Sequence, residues 1–240
     1  MSENETALYH VNHIFTPVLL VLLLCADVAF ALLHVSYRLL SLPNELLSLK
    51  TDGGYSEVFQ YIKELWIAIV LFAVCWRRRE GIYAIWALLF AYLLCDDALT
   101  IHERAGSVYA SHWQYVPALG LRPQDFGELT YLVAAGSVFL VLITYCYRRC
   151  TDDGRNVSRD LLLLCGLLVF FGSFVDMAHI ALPVKGLSIV EESGEMIAMS
   201  LIVSYVVHLL DRQGHGSGLL WRSAIAPVTR RCSRRAKPRS

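Results

Sequence analysis

The chain has 240 residues, of which 56% are hydrophobic and 18% charged, with a mean hydropathy of +0.49 and a formal net charge of zero. Apolar residues that arrive in runs of roughly 20 exclude an ordinary soluble domain and fit a polytopic helical membrane protein. The seven cysteines are odd in number and contain no CxxC pair, which excludes a disulfide or zinc framework and leaves them as small apolar packing residues.

In chain order the pattern predicts six transmembrane helices, Ile14–Leu40, Val58–Trp76, Ile82–His102, Phe126–Tyr147, Leu161–Leu182 and Leu187–Leu210. Each is long enough to cross ~30 Å of hydrocarbon at about 1.5 Å per residue. The fold class expected is therefore all-α, a polytopic membrane helix bundle. The leader MSENETALYHVNH carries two Glu and no Lys or Arg, so the first span lacks the positive n-region of a signal peptide and reads as a retained helix. The segment Ser107–Gly127, with Tyr109, Trp113 and Tyr115, reads either as an interfacial loop or as a lid across the outer surface.

Lys and Arg set the expected orientation. Arg77–Arg79, Arg148–Arg159 and the chain after the sixth span hold 15 of the 21 basic residues. These segments are expected in the cytoplasm, with both termini. The expected location is a bacterial inner (plasma) membrane, multi-pass, with the opposite ends of the helices on the non-cytoplasmic side. Residues 1–212 form the expected transmembrane domain, and 213–240 a basic tail. In that tail Leu219, Leu220 and Trp221 precede RRCSRRAKPR, a pattern that suits anionic lipid headgroups; a nucleic-acid role is not expected.

Charge inside a bilayer is expensive, so intramembrane ionisable groups mark functional sites by default. Here all six spans place such groups in the outer half: Asp27 (near mid-membrane) and His34, Glu64, Asp96 through Glu103, Glu128, Asp176 and His179, then Glu191, Glu192 and Glu195. Within one helix of about 3.6 residues per turn, Asp96 and Glu103 share a face, as do Asp27 and His34. On the same arithmetic His102 lies about 120° from the Asp96 face and Asp97 points elsewhere, to cap or pair locally.

Carboxylates and imidazoles spaced three apart on several helices are the ingredients of a metal site. Asp176-x-x-His179 and Glu192-x-x-Glu195 have that spacing, and Asp96, His102, Glu103 and Glu128 are further ligand candidates. The oxygen-rich set favours a divalent metal, namely zinc, iron or manganese. Glu191, or alternatively Glu192 or Glu195, is the expected general base, and Ser173 an accompanying hydroxyl. Asp27, His34 and Glu64 complete the expected polar pocket.

His34, His102 and His179 with Asp176 and Ser173 also make a Ser/Asp/three-His set. It resembles, in ingredients only, the zinc site of the seven-span alkaline ceramidases and adiponectin receptors, which implies amide hydrolysis. The chain has six expected spans and no His-x-x-x-His, and is not assigned to that family.

The functional expectation is a metal-dependent, hydrolase-like enzyme acting on a lipid or interfacial substrate. The alternatives are a cation or proton transporter, a metal or pH sensor, a haem protein using His34 and His179 as axial ligands, or a non-catalytic helix bundle. Carboxylates this numerous, with only Lys63, Arg104 and Lys185 near in sequence, must bind a metal or take up protons.

Overall fold

A computed structural model describes residues 3–182 and 186–211 of the chain, with side chains from residue 17 to 210. Lys185 and the basic tail fall outside the described residues. The elements are α1 (Glu3–Leu40), a 3-10 turn (Glu45–Leu47), α2 (Tyr55–Arg78), α3 (Gly81–Ala98), α4 (Ile101–Trp113) and α5 (Pro123–Tyr147). There follow α6 (Asp152–Val169), a π-helical segment (Phe170–Val175), α7 (Asp176–Ala181) and α8 (Leu187–Asp211). Six helical stretches are long and apolar enough to cross a membrane, so the protein is a multi-pass bundle. Helix is the form that apolar surroundings demand, since it satisfies its backbone internally.

The spans differ from the pattern-based boundaries in two places. The third helix ends at Ala98, not His102, because Thr100 takes a left-handed conformation (φ 49°) and α4 starts anew. That turn lacks the Gly or Pro that would announce a break in the sequence. The fifth span starts at Asp152, nine residues earlier than expected, where the Thr151 hydroxyl caps it by accepting the Gly154 N–H. Two polar residues of its first turns are fully buried, each with a partner: Trp86 Nε1 donates to Ser158 at 3.0 Å, and the Tyr205 hydroxyl donates to Asp160 at 2.7 Å. The arginine-bearing end of the bundle thus also holds buried polar groups. Half of Ser107–Gly127 is also helical, as the end of α4 and the start of α5.

At the centre stands α8, with 61% of its apolar window buried against 33% or less for the other five spans. It packs on α1, α2, α6 and the π-helical segment. The middle of the bundle is filled by Ile67, Leu71, Trp86, Phe90, Leu161, Ile202 and Val206, all essentially inaccessible. Side chains such as Phe72, Val141 and Leu163 face outward, as a lipid-exposed surface requires. The six described cysteines are unpaired; Cys75, Cys146, Cys150 and Cys165 pack against the core as small apolar residues, whereas Cys25 and Cys95 are exposed. The turns carrying Arg77–Arg79 and Arg148–Arg149 lie together at one end, where Arg78 pairs with Asp153 at 2.7 Å.

Candidate functional site

At the other end the helices enclose a cavity of about 580 Å³. Its walls are the first turns of α2, α5 and α8, the end of α3, the start of α4, the π-helical segment with α7, and the loop 49–52. Of the residues singled out from sequence, Glu64, Asp96, His102, Glu103, Glu128, Ser173, Asp176, Glu191, Glu192 and Glu195 line it.

The break after Ala98 determines the geometry of one wall. A continuous helix would carry His102 away from Asp96. The left-handed turn at Thr100 brings it back, so that His102 Nδ1 donates to Asp96 Oδ2 at 3.1 Å. The other oxygen of Asp96 accepts from the Tyr131 hydroxyl at 3.1 Å, which accepts in turn from Tyr92 at 2.6 Å. Each Asp96 oxygen thus accepts one hydrogen bond, and Asp96 orients the His102 ring as a carboxylate orients a metal-binding imidazole. His102 lies outside the spans. Its hydrogen bond to Asp96 raises its pKa to about 9, with help from Asp97 and Glu128 and against the opposing effect of burial. The face shared by Asp96 and Glu103 in a straight helix does not exist, though both residues reach the cavity.

Helix α4 is held against α5 by a close crossing of two glycines. A Cβ on Gly127 would overlap the backbone of Gly106, and one on Gly106 would overlap Glu128. This crossing of small residues sets Glu128 beside the start of α4. Glu128 also accepts from Gln124 Nε2 at 2.7 Å. Gly136, by contrast, which has the composition of a packing position, faces open space.

Two groups of three side chains place ligand-type atoms within 4.8 Å of one another: Asp96, Asp97 and His102, and Asp176, His179 and Glu191. Asp97 therefore joins the site it was expected to turn away from, and also faces Glu64. Glu191, expected as a general base, sits with Asp176 and His179; His179 Nδ1 is 3.2 Å from Glu191 Oε2. The π-helical segment supplies the second group's neighbours. It puts Ser173 and Gly172 on the wall, and Gly172 makes room for Glu195, whose Oε1 would lie 2.5 Å from a Cβ there. Glu64, 1% exposed, keeps its Oε2 buried without a hydrogen-bond partner.

Asp27, His34 and His179 do not line the cavity, although His179 reaches its edge through Glu191 and Lys50. Asp27 is buried in an ion pair with Lys63 at 2.6 Å and accepts from Ser200 at 2.6 Å, tying α1 to α2 and α8. His34 Nδ1 accepts the Leu49 backbone N–H at 3.0 Å and anchors the loop after α1. Each had an unmade structural partner that the sequence alone did not reveal. Lys63, in turn, is spent on Asp27 and on the Met196 carbonyl, so it does not neutralise the cavity.

Among the described residues, Lys50 and Arg122 bring positive charge to the cavity beside His102. Lys50 Nζ lies 3.4 Å from His179 Nε2, and Arg122 pairs with the fully buried Asp125 at the start of α5. Both precede a helix in loops, beyond the reach of helical arithmetic. Glu57 is also on the wall, held by Tyr61 at 2.5 Å and by the Gly53 N–H. The cavity thus has a large excess of carboxyl groups over cations.

Comparison with curated proteins and with solved structures gives no match. Residues 13–209 match the family described as Domain of unknown function (DUF8692), and the chain belongs to that family.

Proposed function

We propose that this protein holds a divalent metal, zinc, iron or manganese, in its carboxylate- and histidine-lined cavity and uses it to hydrolyse a lipid or another substrate at the membrane interface. The observation that carries this reading is the pair of three-residue groups, Asp96/Asp97/His102 and Asp176/His179/Glu191, of which all but His179 line the one cavity. The buried carboxyl of Glu64, which faces Asp97 with no cation beside it among the described residues, supports it, since two buried carboxylates side by side are costly unless a cation or a proton meets them. Glu103, Glu128, Glu192 and Glu195 are further oxygen donors around the same space.

A divalent ion in such a site supplies a water that ionises near neutral pH. In hydrolysis of an ester or amide, a cavity carboxylate such as Glu191 would take the proton of the attacking water and return it to the leaving alcohol or amine as the acyl bond breaks. In this reading both termini and the arginine-rich turns are cytoplasmic, and the cavity faces the other side of a bacterial inner membrane. The basic tail meets anionic headgroups. Against transport, the cavity ends on the apolar centre of the bundle around Ile67, Leu71, Phe90 and Ile202.

The test is an assay of full-length protein in vesicles of phosphatidylethanolamine doped with an N-acyl amide lipid. The expected result is release of fatty acid that a chelator stops, added zinc restores, and Asp176→Asn abolishes. Chelator-sensitive cation flux without any release would overturn the reading in favour of a transporter.

A further inference from the structure

The cavity wall reaches the protein surface in two chemically different places. Lys50, Asp52 and Arg122 are exposed at its polar end, a mouth for water. Leu129, Val169 and Gly172 are also exposed, but they belong to α5, α6 and the π-helical segment within the spans. A residue that lines the cavity and also faces outward at that depth marks a side opening toward lipid.

The opening is closed at both ends. On the outer side the turn Ala118–Leu121 rests on the end of α7, where a Cβ on Gly120 would be 3.1 Å from Ala181. On the inner side Arg159 of α6 donates to the Tyr147 hydroxyl of α5 at 2.8 Å. Between these two ties the cavity is lined by Leu129 and Leu132 from α5 and by Leu168 and Val169 from α6. All four are apolar, with Glu128 of α5 and Asp176 of α7 nearer the outer end. Exposed apolar walls that lead inward to a few convergent polar groups suit a molecule with one oily and one polar part.

We propose that the gap between α5 and α6 admits the acyl chain of a bilayer amphiphile, which lies against Leu129, Leu132, Leu168 and Val169 while its polar linkage reaches the carboxylate/histidine groups. Water enters separately, past Lys50 and Arg122. The substrate class is therefore an acyl-bearing lipid, drawn sideways from the membrane rather than from solution. Its turnover rests on the metal-dependent reading above, whereas its route rests on the shape of the cavity.

The experiment replaces Leu132 with the photoreactive p-benzoylphenylalanine in the full-length chain, in vesicles of phosphatidylethanolamine and phosphatidylglycerol. Lipid adducts are counted by mass spectrometry, and metal content is measured on the same sample. Position 141, where Val141 is 68% exposed on the outer face, serves as the lipid-facing control. Lipid adducts are expected at 132, and Val169→Trp or Leu129→Trp should reduce them severalfold while the adducts at 141 persist. An adduct-free position 132 beside a labelled position 141 would overturn the route, as would yields at 132 unchanged by both tryptophans. Adducts at 132 in a protein that never holds metal would support the route and defeat only the metal-dependent reading.

Discussion

The link between His102 and Asp96 shows how much one backbone torsion decides. In a straight helix the two side chains diverge, and only the left-handed Thr100 joins them. The sequence could supply their identities and depth, but not the break, because Thr gives no local signal for it. The same limit applies to Lys50 and Arg122, whose loop positions no periodicity describes. The pairing has a pH signature. His102 is raised from 6.5 to about 9, chiefly by its hydrogen bond to Asp96, with Asp97 and Glu128 also facing it. A group whose folded pKa is raised stabilises the fold fully below its unfolded pKa, and that contribution is lost as pH rises through the folded value. Chelator-treated protein in detergent should therefore lose thermal stability between about pH 6.5 and 9. His102→Gln should flatten that part of the profile. A midpoint that stays constant across this window in the unsubstituted protein would contradict the pairing.

At the scale of elements, the apolar runs revealed where the membrane-crossing helices are because lipid-facing surface leaves a long, continuous signal. What they could not reveal is how helices lock together. The Gly106–Gly127 crossing depends on two residues 21 apart in sequence on different helices, and the π-helical segment hides in FFGSFV, an unremarkable apolar stretch. Asp27 illustrates the same point, since its depth suggested a pocket residue while its partner lay on α2. Lys63 is 0% exposed and Asp27 3%, so neither can be relieved by water. Removing one charge of a buried pair typically costs about 3–5 kcal/mol, whereas removing both is often nearly neutral. Lys63→Met should lower unfolding stability in detergent by about that amount, and Asp27→Leu combined with Lys63→Met should recover most of it. A single variant as stable as the parent would show that the pair is not what joins α1 to α2.

For the whole molecule, a packed apolar centre separates two polar ends that differ in kind. One end carries arginines paired with partners such as Asp153 and Tyr147, and the other a carboxylate-rich cavity with few cations. That polarity was legible from charge placement alone, since most of the acids and histidines within the spans fall in the helix turns away from the arginine-rich end. The division of the acids into two ligand groups was not, because it depends on how α3, α4, α7 and α8 face one another. The direct measurement is the metal content of the full-length protein, purified in detergent without chelator, beside His102→Ala and Asp176→Asn. The account predicts near-stoichiometric zinc, iron or manganese in the parent protein and a clear loss in both variants, each still folded by thermal melt. Protein that carries no divalent metal, and takes up none when zinc, iron or manganese is supplied, would contradict it.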